Sequence, residues 1–155
     1  MNELSQKIVT GCLLTAGPLT DFNTMTIGWG MIGTIWGKEV FMCFVRPTRY
    51  TYEFMERHEV FTISFYNTNY KQEMSYLGTH SGRTTNKVET VGFHPQAIGE
   101  GVTFTEAYQT IVCKKIYHQD MDASLFPAPV LKTYYSAGGI HRLYIGEIIR
   151  TEAEK

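Results

Sequence analysis

The chain has 155 residues, of which 43% are hydrophobic and 19% are charged. That length suits a single domain with its own buried core, and that composition excludes a disordered chain. The net charge of −1 provides no domain-wide positive field, so we expect no nucleic-acid partner.

No segment has the roughly 18 consecutive apolar residues of a membrane span, and the first residues lack a basic leader. We therefore expect a cytoplasmic protein with no membrane partner. Cys12, Cys43 and Cys113 are far apart and form no C-x-x-C pair, which predicts three reduced thiols that fill the core. The histidines lack zinc-ligand spacing, so we expect no metal site.

Six segments have the composition of β-strands: residues 8–16, 24–36, 40–46, 61–66, 108–117 and 140–150. Residues 40–46 are almost wholly apolar, which indicates a strand covered on both faces. Residues 61–66 alternate large apolar with small polar side chains, which is typical of a half-buried strand.

Helices are few and short. Thr51 is expected to cap a helix that runs to about His58, and Asn69 to cap one over residues 70–77 that stops at Gly78. Residues 87–91 are expected to form a further helical turn. Residues 123–130 are predicted to be a loop because they contain two prolines.

These elements predict a mainly β fold in one domain, residues 1–155, built as a closed or nearly closed barrel. Several strands are apolar on more than one face, so the outside of the barrel needs a cover. A second copy of the chain would supply it, and we expect a homodimer.

The stretch from Gly28 to Gly33 matches G-x-G-x-x-G, and Glu53 lies where a ribose-binding acid would be expected. A dinucleotide fold needs a helix to begin inside the motif, so that its N-terminus meets the pyrophosphate. Here Thr34, Ile35 and Trp36 follow and favour a strand. We interpret the glycines as packing or twist positions in a barrel strand.

Three segments concentrate polar groups: residues 23–26, 46–51 and 81–87. The second places two arginines and two threonines directly before a helix N-terminus, a combination that suits a phosphate. Each segment alone could equally be a strand start or a surface turn with solvated charges. No nucleophile or acid–base constellation is visible, so we expect no catalytic side chain and a reactive centre supplied by a cofactor.

Taken together, the segments resemble the flavin reductase-like, FMN-binding split-barrel family, which includes flavoredoxin. The resemblance runs from about Leu13 to Ile149, and its markers are residues 23–30, 45–51, 61–65, 81–83 with Lys87, and 140–148. It implies a homodimeric split barrel that holds FMN noncovalently near the dimer interface.

The resemblance also implies which residues bind the cofactor. Along the isoalloxazine ring, backbone N–H groups and threonine hydroxyls of one segment are expected to bond ring atoms; these residues are Asn23, Thr24, Met25 and Thr26. The phosphate site corresponds to Arg46, Thr48, Arg49 and Thr51, with Tyr50 alongside. A second cofactor loop corresponds to Ser81, Gly82, Arg83 and Lys87.

Three points stay open from the sequence. The end of the flavin that Lys87 reaches is not defined, and neither is whether Trp29 or Trp36 packs on the ring. His141 is interpreted as a satisfied barrel histidine rather than a contact with a partner subunit. The family often has an acidic residue in the second loop, where this chain has Thr84, Thr85 and Asn86.

The first functional hypothesis is an oxidoreductase that passes electrons from NADH or NADPH through FMN to free flavin, ferric iron or a partner protein. The second is an FMN-containing electron carrier without nicotinamide turnover. The third is a barrel that binds a small molecule or an oligonucleotide without redox chemistry; the net charge argues against an oligonucleotide.

Overall fold

The structure, a computed structural model, describes residues 1–153. In this part of the chain there are nine strands: β1 (Cys12–Ala16), β2 (Asn23–Ile27), β3 (Gly30–Ile35), β4 (Lys38–Val45), β5 (Val60–Phe65), β6 (Pro95–Ile98), β7 (Gly101–Phe104), β8 (Gln109–Asp120) and β9 (Arg142–Ala153). The α-helices are α1 (Glu3–Val9), α2 (Tyr50–Arg57), α3 (Lys71–Thr79), α4 (Lys87–Val91) and α5 (Ala128–Tyr134), with single 3₁₀ turns at Thr68–Tyr70 and Ala123–Leu125.

Seven strands form one antiparallel sheet in the order β2-β1-β5-β8-β9-β4-β3, and β6 pairs with β7 in a separate hairpin. Strands β2 and β3 lie at opposite edges of the sheet, yet only Gly28 and Trp29 separate them in the chain. Two residues cannot bridge seven strands spaced about 4.8 Å apart, so the sheet must curl until its edges approach. The result is a β-barrel left open between β2 and β3, which confirms the predicted mainly β fold.

Two hydrophobic clusters lie on either side of β1. Leu14 belongs to the cluster that fills the barrel, together with the fully buried Phe41 and Phe61. Leu13 belongs to a second cluster outside the barrel wall, formed mainly with α3 and the β6–β7 hairpin through residues such as Leu77 and Val102. Part of the cover that the sequence assigned to a second copy is therefore supplied by this chain itself.

Strand β5 is buried along its whole length, so the predicted half-buried strand is wrong. Its small polar side chains find partners inside the protein. The Thr62 hydroxyl donates to the Val102 carbonyl in the β6–β7 hairpin, and the hydroxyls of Ser64 and Thr110 are 3.0 Å apart. Because these hydrogen bonds satisfy the polar groups, the polar face of the strand can pack against the hairpin.

The helix boundaries differ from the predicted ones. Arg49, not Thr51, is the N-cap residue of α2, and Tyr70, not Asn69, precedes α3. Gly78 does not stop α3, which continues to Thr79. A Cβ atom at Gly78 would lie 3.0 Å from Cβ of Thr26, so this glycine allows α3 to approach β2 closely.

The sequence interpretation missed α1, the β6–β7 hairpin and α5. Pro127 and Pro129 stand at the start of α5, where the missing N–H groups of proline cost nothing, so they mark a helix start rather than a loop. The short helix over residues 87–91 is confirmed, with the Asn86 side chain accepting from the Glu89 N–H. Gly30 and Gly33 lie within β3, which confirms that no helix starts in the glycine motif.

All three cysteines are free and buried in the core, as predicted. Burial raises the pKa of Cys12 to about 12 and that of Cys43 well above its usual value. These thiols therefore stay protonated and act as packing groups. No helix within residues 1–153 combines the length and apolar character needed to cross a membrane.

Candidate functional site

A cavity of about 200 Å³, the anion cavity, lies between β2, the start of α2 and the loop that follows α3. Its lining includes eight of the residues predicted to bind a cofactor. The lining residues are Asn23, Met25, Thr48, Arg49, Tyr50, Thr51, Thr79, His80, Ser81 and Lys87. The fold thus brings together parts of three polar segments that are far apart in the sequence.

Two cationic side chains in this cavity have only carbonyl partners. Lys87 is 3% exposed, and its Nζ donates to the carbonyl oxygens of Leu77 (2.8 Å) and His80 (2.9 Å). Half-buried Arg49 donates from Nη2 to the Gly78 carbonyl oxygen (2.8 Å). Neither cation forms a salt bridge with a carboxylate of residues 1–153.

The electrostatics of the cavity favour an anion. Burial, with a smaller contribution from the charge of Arg49, lowers the pKa of Lys87 to about 8. Burial also lowers the pKa of Arg49. A buried cation is costly unless it is paired, so an anion bound between these two groups would restore their usual pKa values.

The N-terminus of α2 adds further donors. The backbone N–H groups of Tyr50 and Thr51 donate to no backbone carbonyl of residues 1–153. Oγ1 of Thr51 accepts a hydrogen bond from Nδ2 of Asn23 (2.8 Å), which leaves the hydroxyl proton of Thr51 free to donate. Free N–H groups at a helix N-terminus attract negative charge, and so do the positively charged side chains of Lys87 and Arg49.

The threonine hydroxyls of β2 are already engaged within the protein. The Thr24 hydroxyl donates to the Leu14 carbonyl and lies 2.8 Å from the Thr15 hydroxyl, while the Thr26 hydroxyl donates to the Met74 carbonyl (2.6 Å). They are therefore not free donors for a flavin ring. Strand β2 is an edge strand paired only with β1, so backbone groups on its outer edge are the donors it can offer instead.

A second cavity of about 230 Å³, the aromatic cavity, adjoins the first and shares Met25 with it. It is lined by Met25, Thr26, Ile27, Gly28, Trp29, Phe44, Arg46 and His141. The two cavities together follow β2 from the anion cavity toward Trp29.

Arg46 lies at this second cavity rather than with Arg49 and Lys87. Its Nη1 donates to the carbonyl oxygens of Gly138 (3.1 Å) and Gly139 (2.9 Å), and Nη2 donates to that of Tyr134 (2.8 Å). Its guanidinium also lies 5.2 Å from the centre of the Tyr135 ring. These hydrogen bonds hold the end of α5 and the segment that follows it against the barrel.

Gly82 and Arg83 line a wider cleft of about 1000 Å³ that shares Asn23, Tyr50 and Lys87 with the anion cavity. The Arg83 guanidinium forms a salt bridge with Glu53 and lies 4.6 Å from the centre of the Tyr50 ring. Arg83 is exposed, so its charge is largely screened by solvent.

The predicted cofactor set did not include His141, Trp29 or Tyr135. His141 is 8% exposed, its Nδ1 lies 2.8 Å from the Tyr135 hydroxyl, and its ring centre lies 5.0 Å from that of Trp29. Burial, with a smaller contribution from the charge of Arg46, lowers the pKa of His141 to about 4. The sequence marked His141 within the segment 140–148, but nothing local indicated that Tyr135 would reach it.

A barrel open between two edge strands, with an anion cavity beside one of them, is a split-barrel architecture. A family model described as the flavin reductase like domain matches residues 8–155, and the chain belongs to this flavin reductase-like family. No curated protein matches the sequence.

Several solved structures share the fold at low sequence identity. Flavoredoxin from Methanosarcina acetivorans superposes with a TM-score of 0.74 at 19% identity, over 94% of this chain and 68% of its own. The FMN-binding protein from Thermus thermophilus with bound 1-cyclohex-2-enone superposes with a TM-score of 0.73 at 19% sequence identity, over 93% of this chain and 70% of its own. Flavoredoxin of Desulfovibrio vulgaris (Miyazaki F) superposes with a TM-score of 0.73 at 20% sequence identity, over 94% of this chain and 69% of its own.

Proposed function

We propose that the protein binds FMN noncovalently and passes electrons from NADH or NADPH through it to a second acceptor, such as free flavin, ferric iron or a partner protein. The observation that carries this proposal is the pair of cations, Lys87 and Arg49, that share one cavity with no carboxylate among its described lining residues. The terminal phosphate of FMN is a dianion that accepts several hydrogen bonds, which suits these donors.

The arrangement of the two cavities fits the rest of the cofactor. A ligand with its phosphate at Lys87 and its ring in the aromatic cavity would extend along β2, past Met25. The outer edge of β2 offers backbone N–H and C=O groups to a heterocyclic ring, while Trp29 and Phe44 provide apolar walls. The FMN-binding protein from Thermus thermophilus, which has the same fold, supports the choice of FMN.

Bound FMN would supply the redox chemistry, and the side chains would bind and orient it. Lys87, Arg49 and the N-terminus of α2 would hold the phosphate charge. The backbone of β2 would orient the ring, and its donors would stabilise negative charge that develops there. None of these roles requires a side chain that gives up or takes a proton.

We also propose that the protein is a homodimer. Trp36 is 64% exposed and packs against Tyr117, which is 40% exposed, at a ring-centre distance of 6.3 Å. Trp36 has φ = 53° and Gly37 has φ = 70° in the two-residue turn between β3 and β4. A bulky residue is unfavourable at positive φ, and asparagine is preferred there. A subunit contact that uses the Trp36 ring would offset this cost.

The test of the electron-transfer proposal is steady-state oxidation of NADH and NADPH by the FMN-loaded protein, with free flavin or ferric iron as acceptor. The proposal predicts turnover with at least one of the two nucleotides. If neither nucleotide reduces bound FMN but a chemical reductant does, the protein is an electron carrier of the flavoredoxin kind. If the protein does not bind FMN at all, it is instead a barrel that binds another small molecule without redox chemistry.

A further inference from the structure

We propose that residues 122–140, which we call the flap, gate the aromatic cavity, so that a flavin ring enters and leaves only when the flap swings away from Trp29 and Arg46. This inference rests on the proposed function for the identity of the ligand. The flap itself is a property of the fold, and its movement can be observed without a cofactor.

The flap is a long excursion between two paired strands. Strands β8 and β9 pair as far as Asp120 and Arg142, and just beyond that pair the Met121 N–H donates to the His141 carbonyl oxygen (3.1 Å). Antiparallel strands can be joined by about two to five residues, so the ladder does not require residues 122–140. Because the two ends of the flap meet, it can move without disturbing the strands that carry it.

The flap packs mainly on itself. The rings of Phe126 and Tyr135 stack with their centres 5.0 Å apart, and α5 lies between these two residues in the chain. Tyr135 is the only buried residue among residues 122–140. Segments with few buried contacts open at a low cost in free energy, while the internal stack holds this one together. We therefore expect the flap to move as one unit.

Two side chains join the flap to the barrel. Apart from the bond between Tyr135 and His141 at the base of the flap, Arg46 provides all the hydrogen bonds that tie it to the rest of residues 1–153. The Trp29 ring packs edge-on against Tyr134, with centres 5.2 Å apart. Arg46 and Trp29 both line the aromatic cavity, so the flap braces one wall of that cavity from behind.

The size of the cavity gives this movement a purpose. The aromatic cavity measures about 230 Å³, whereas pockets that enclose a ligand of drug size measure about 300–1,000 Å³. A flavin ring system therefore gains room when the wall of Trp29 and Arg46 moves back. The flap must swing outward for that to happen, because it packs against both side chains.

Two consecutive glycines provide a hinge at the end of the flap. Gly138 has φ = 77° and Gly139 has φ = 71°. Glycine changes its backbone angles at little steric cost, so such a pair can absorb the rotation of a moving segment. Nη1 of Arg46 donates to the carbonyl oxygens of both glycines and thus clamps the hinge from the side of the cavity. Release of these two bonds frees the flap.

The experiment compares Tyr134→Ala with Tyr134→Phe, which keeps the ring that contacts Trp29. Tyr134 is 49% exposed and lines neither the anion cavity nor the aromatic cavity, so the alanine variant removes a flap contact and leaves the binding residues in place. Stopped-flow fluorescence measures the rate constants for FMN association and dissociation. Loss of the aromatic pair should raise both rate constants roughly three- to tenfold and change the equilibrium affinity by less than about twofold. Tyr134→Phe should behave as the wild type.

NMR relaxation dispersion of the apoprotein reports the movement of the flap directly. We expect exchange at Trp29 and in residues 122–140, no exchange in β5, and a larger minor population in Tyr134→Ala. A flap without exchange would overturn the proposal. So would a rise in the dissociation rate constant alone, which would make Tyr134 part of the binding site.

The two readouts separate this inference from the proposed function. Flap exchange in an apoprotein that takes up no FMN contradicts the proposed function alone. FMN binding with rate constants that Tyr134→Ala leaves unchanged contradicts this inference alone, because the ring would then enter past a fixed flap.

Discussion

Asn23 in β2 and Thr51 in α2 are joined by a buried hydrogen bond of 2.8 Å between Nδ2 and Oγ1. Asn23 is 8% and Thr51 1% exposed, so the bond is largely shielded from solvent. The bond connects the strand proposed to carry the flavin ring with the helix N-terminus proposed to carry the phosphate. It therefore fixes the distance between the two halves of the site.

Thr51→Val is expected to lower the free energy of unfolding of the apoprotein by about 1–3 kcal/mol, because it leaves the Asn23 amide buried without its main acceptor. Thr51→Ser keeps the hydroxyl and serves as the matched control. Urea denaturation of both variants provides the comparison. If the valine variant were as stable as the serine variant, the bond would not support the site as described.

Lys87 predicts a pH dependence of FMN binding. In the free protein its pKa is lowered to about 8, and a bound phosphate dianion raises it again. A group whose pKa rises on binding contributes affinity below its free-state pKa and loses that contribution as pH rises through the bound-state value. FMN affinity should therefore be flat near pH 7 and fall above pH 8.

The control for this prediction is Lys87→Met, which keeps most of the unbranched side chain without its charge. Its FMN affinity should be weaker at pH 7 and nearly independent of pH between 7 and 9. Fluorescence titration at several pH values measures both proteins. A fall above pH 8 of the same size in both would show that another group is responsible.

Arg46 and Arg49 should behave differently although they are three residues apart. Arg49 lines the anion cavity, whereas Arg46 donates to three carbonyls at the aromatic cavity. Arg49→Gln is expected to weaken the binding of FMN by about 1.5–3 kcal/mol, and to weaken the binding of riboflavin, which has no phosphate, much less. Arg46→Gln should change the affinities for FMN and for riboflavin by similar amounts. Calorimetric titration of each variant with both flavins tests this, and the reverse pattern would exchange the two roles.

Replacement of Trp36 should have opposite effects on the stability of the isolated subunit and on the stability of the dimer. Trp36→Asn places a residue that tolerates positive φ in the turn before Gly37, so it should stabilise the isolated subunit while weakening association. Sedimentation at micromolar concentrations should show a dimer for the wild type and a larger monomer fraction for the variant. A wild type that sediments only as a monomer would rule out the proposed dimer.

The strands of the seven-stranded sheet could be predicted in outline because strand composition is a local property. The burial of Lys87 could not be predicted, because it depends on the carbonyls of Leu77 and His80 at the end of α3. Arg46 and Arg49 look equivalent in sequence, yet one follows the end of β4 and the other caps α2, so they face different cavities. The contact between Tyr135 and His141 depends on α5, and the start of this helix was assigned to a loop because it contains two prolines.

The central claim is that one FMN binds per chain with its phosphate in the anion cavity. The most direct measurement is the absorption spectrum of the purified protein before and after denaturation, with the released chromophore compared with FMN and FAD, followed by titration of the apoprotein with FMN. The account predicts about one FMN per chain, as one site per barrel requires. A colourless protein that takes up no added FMN would contradict it.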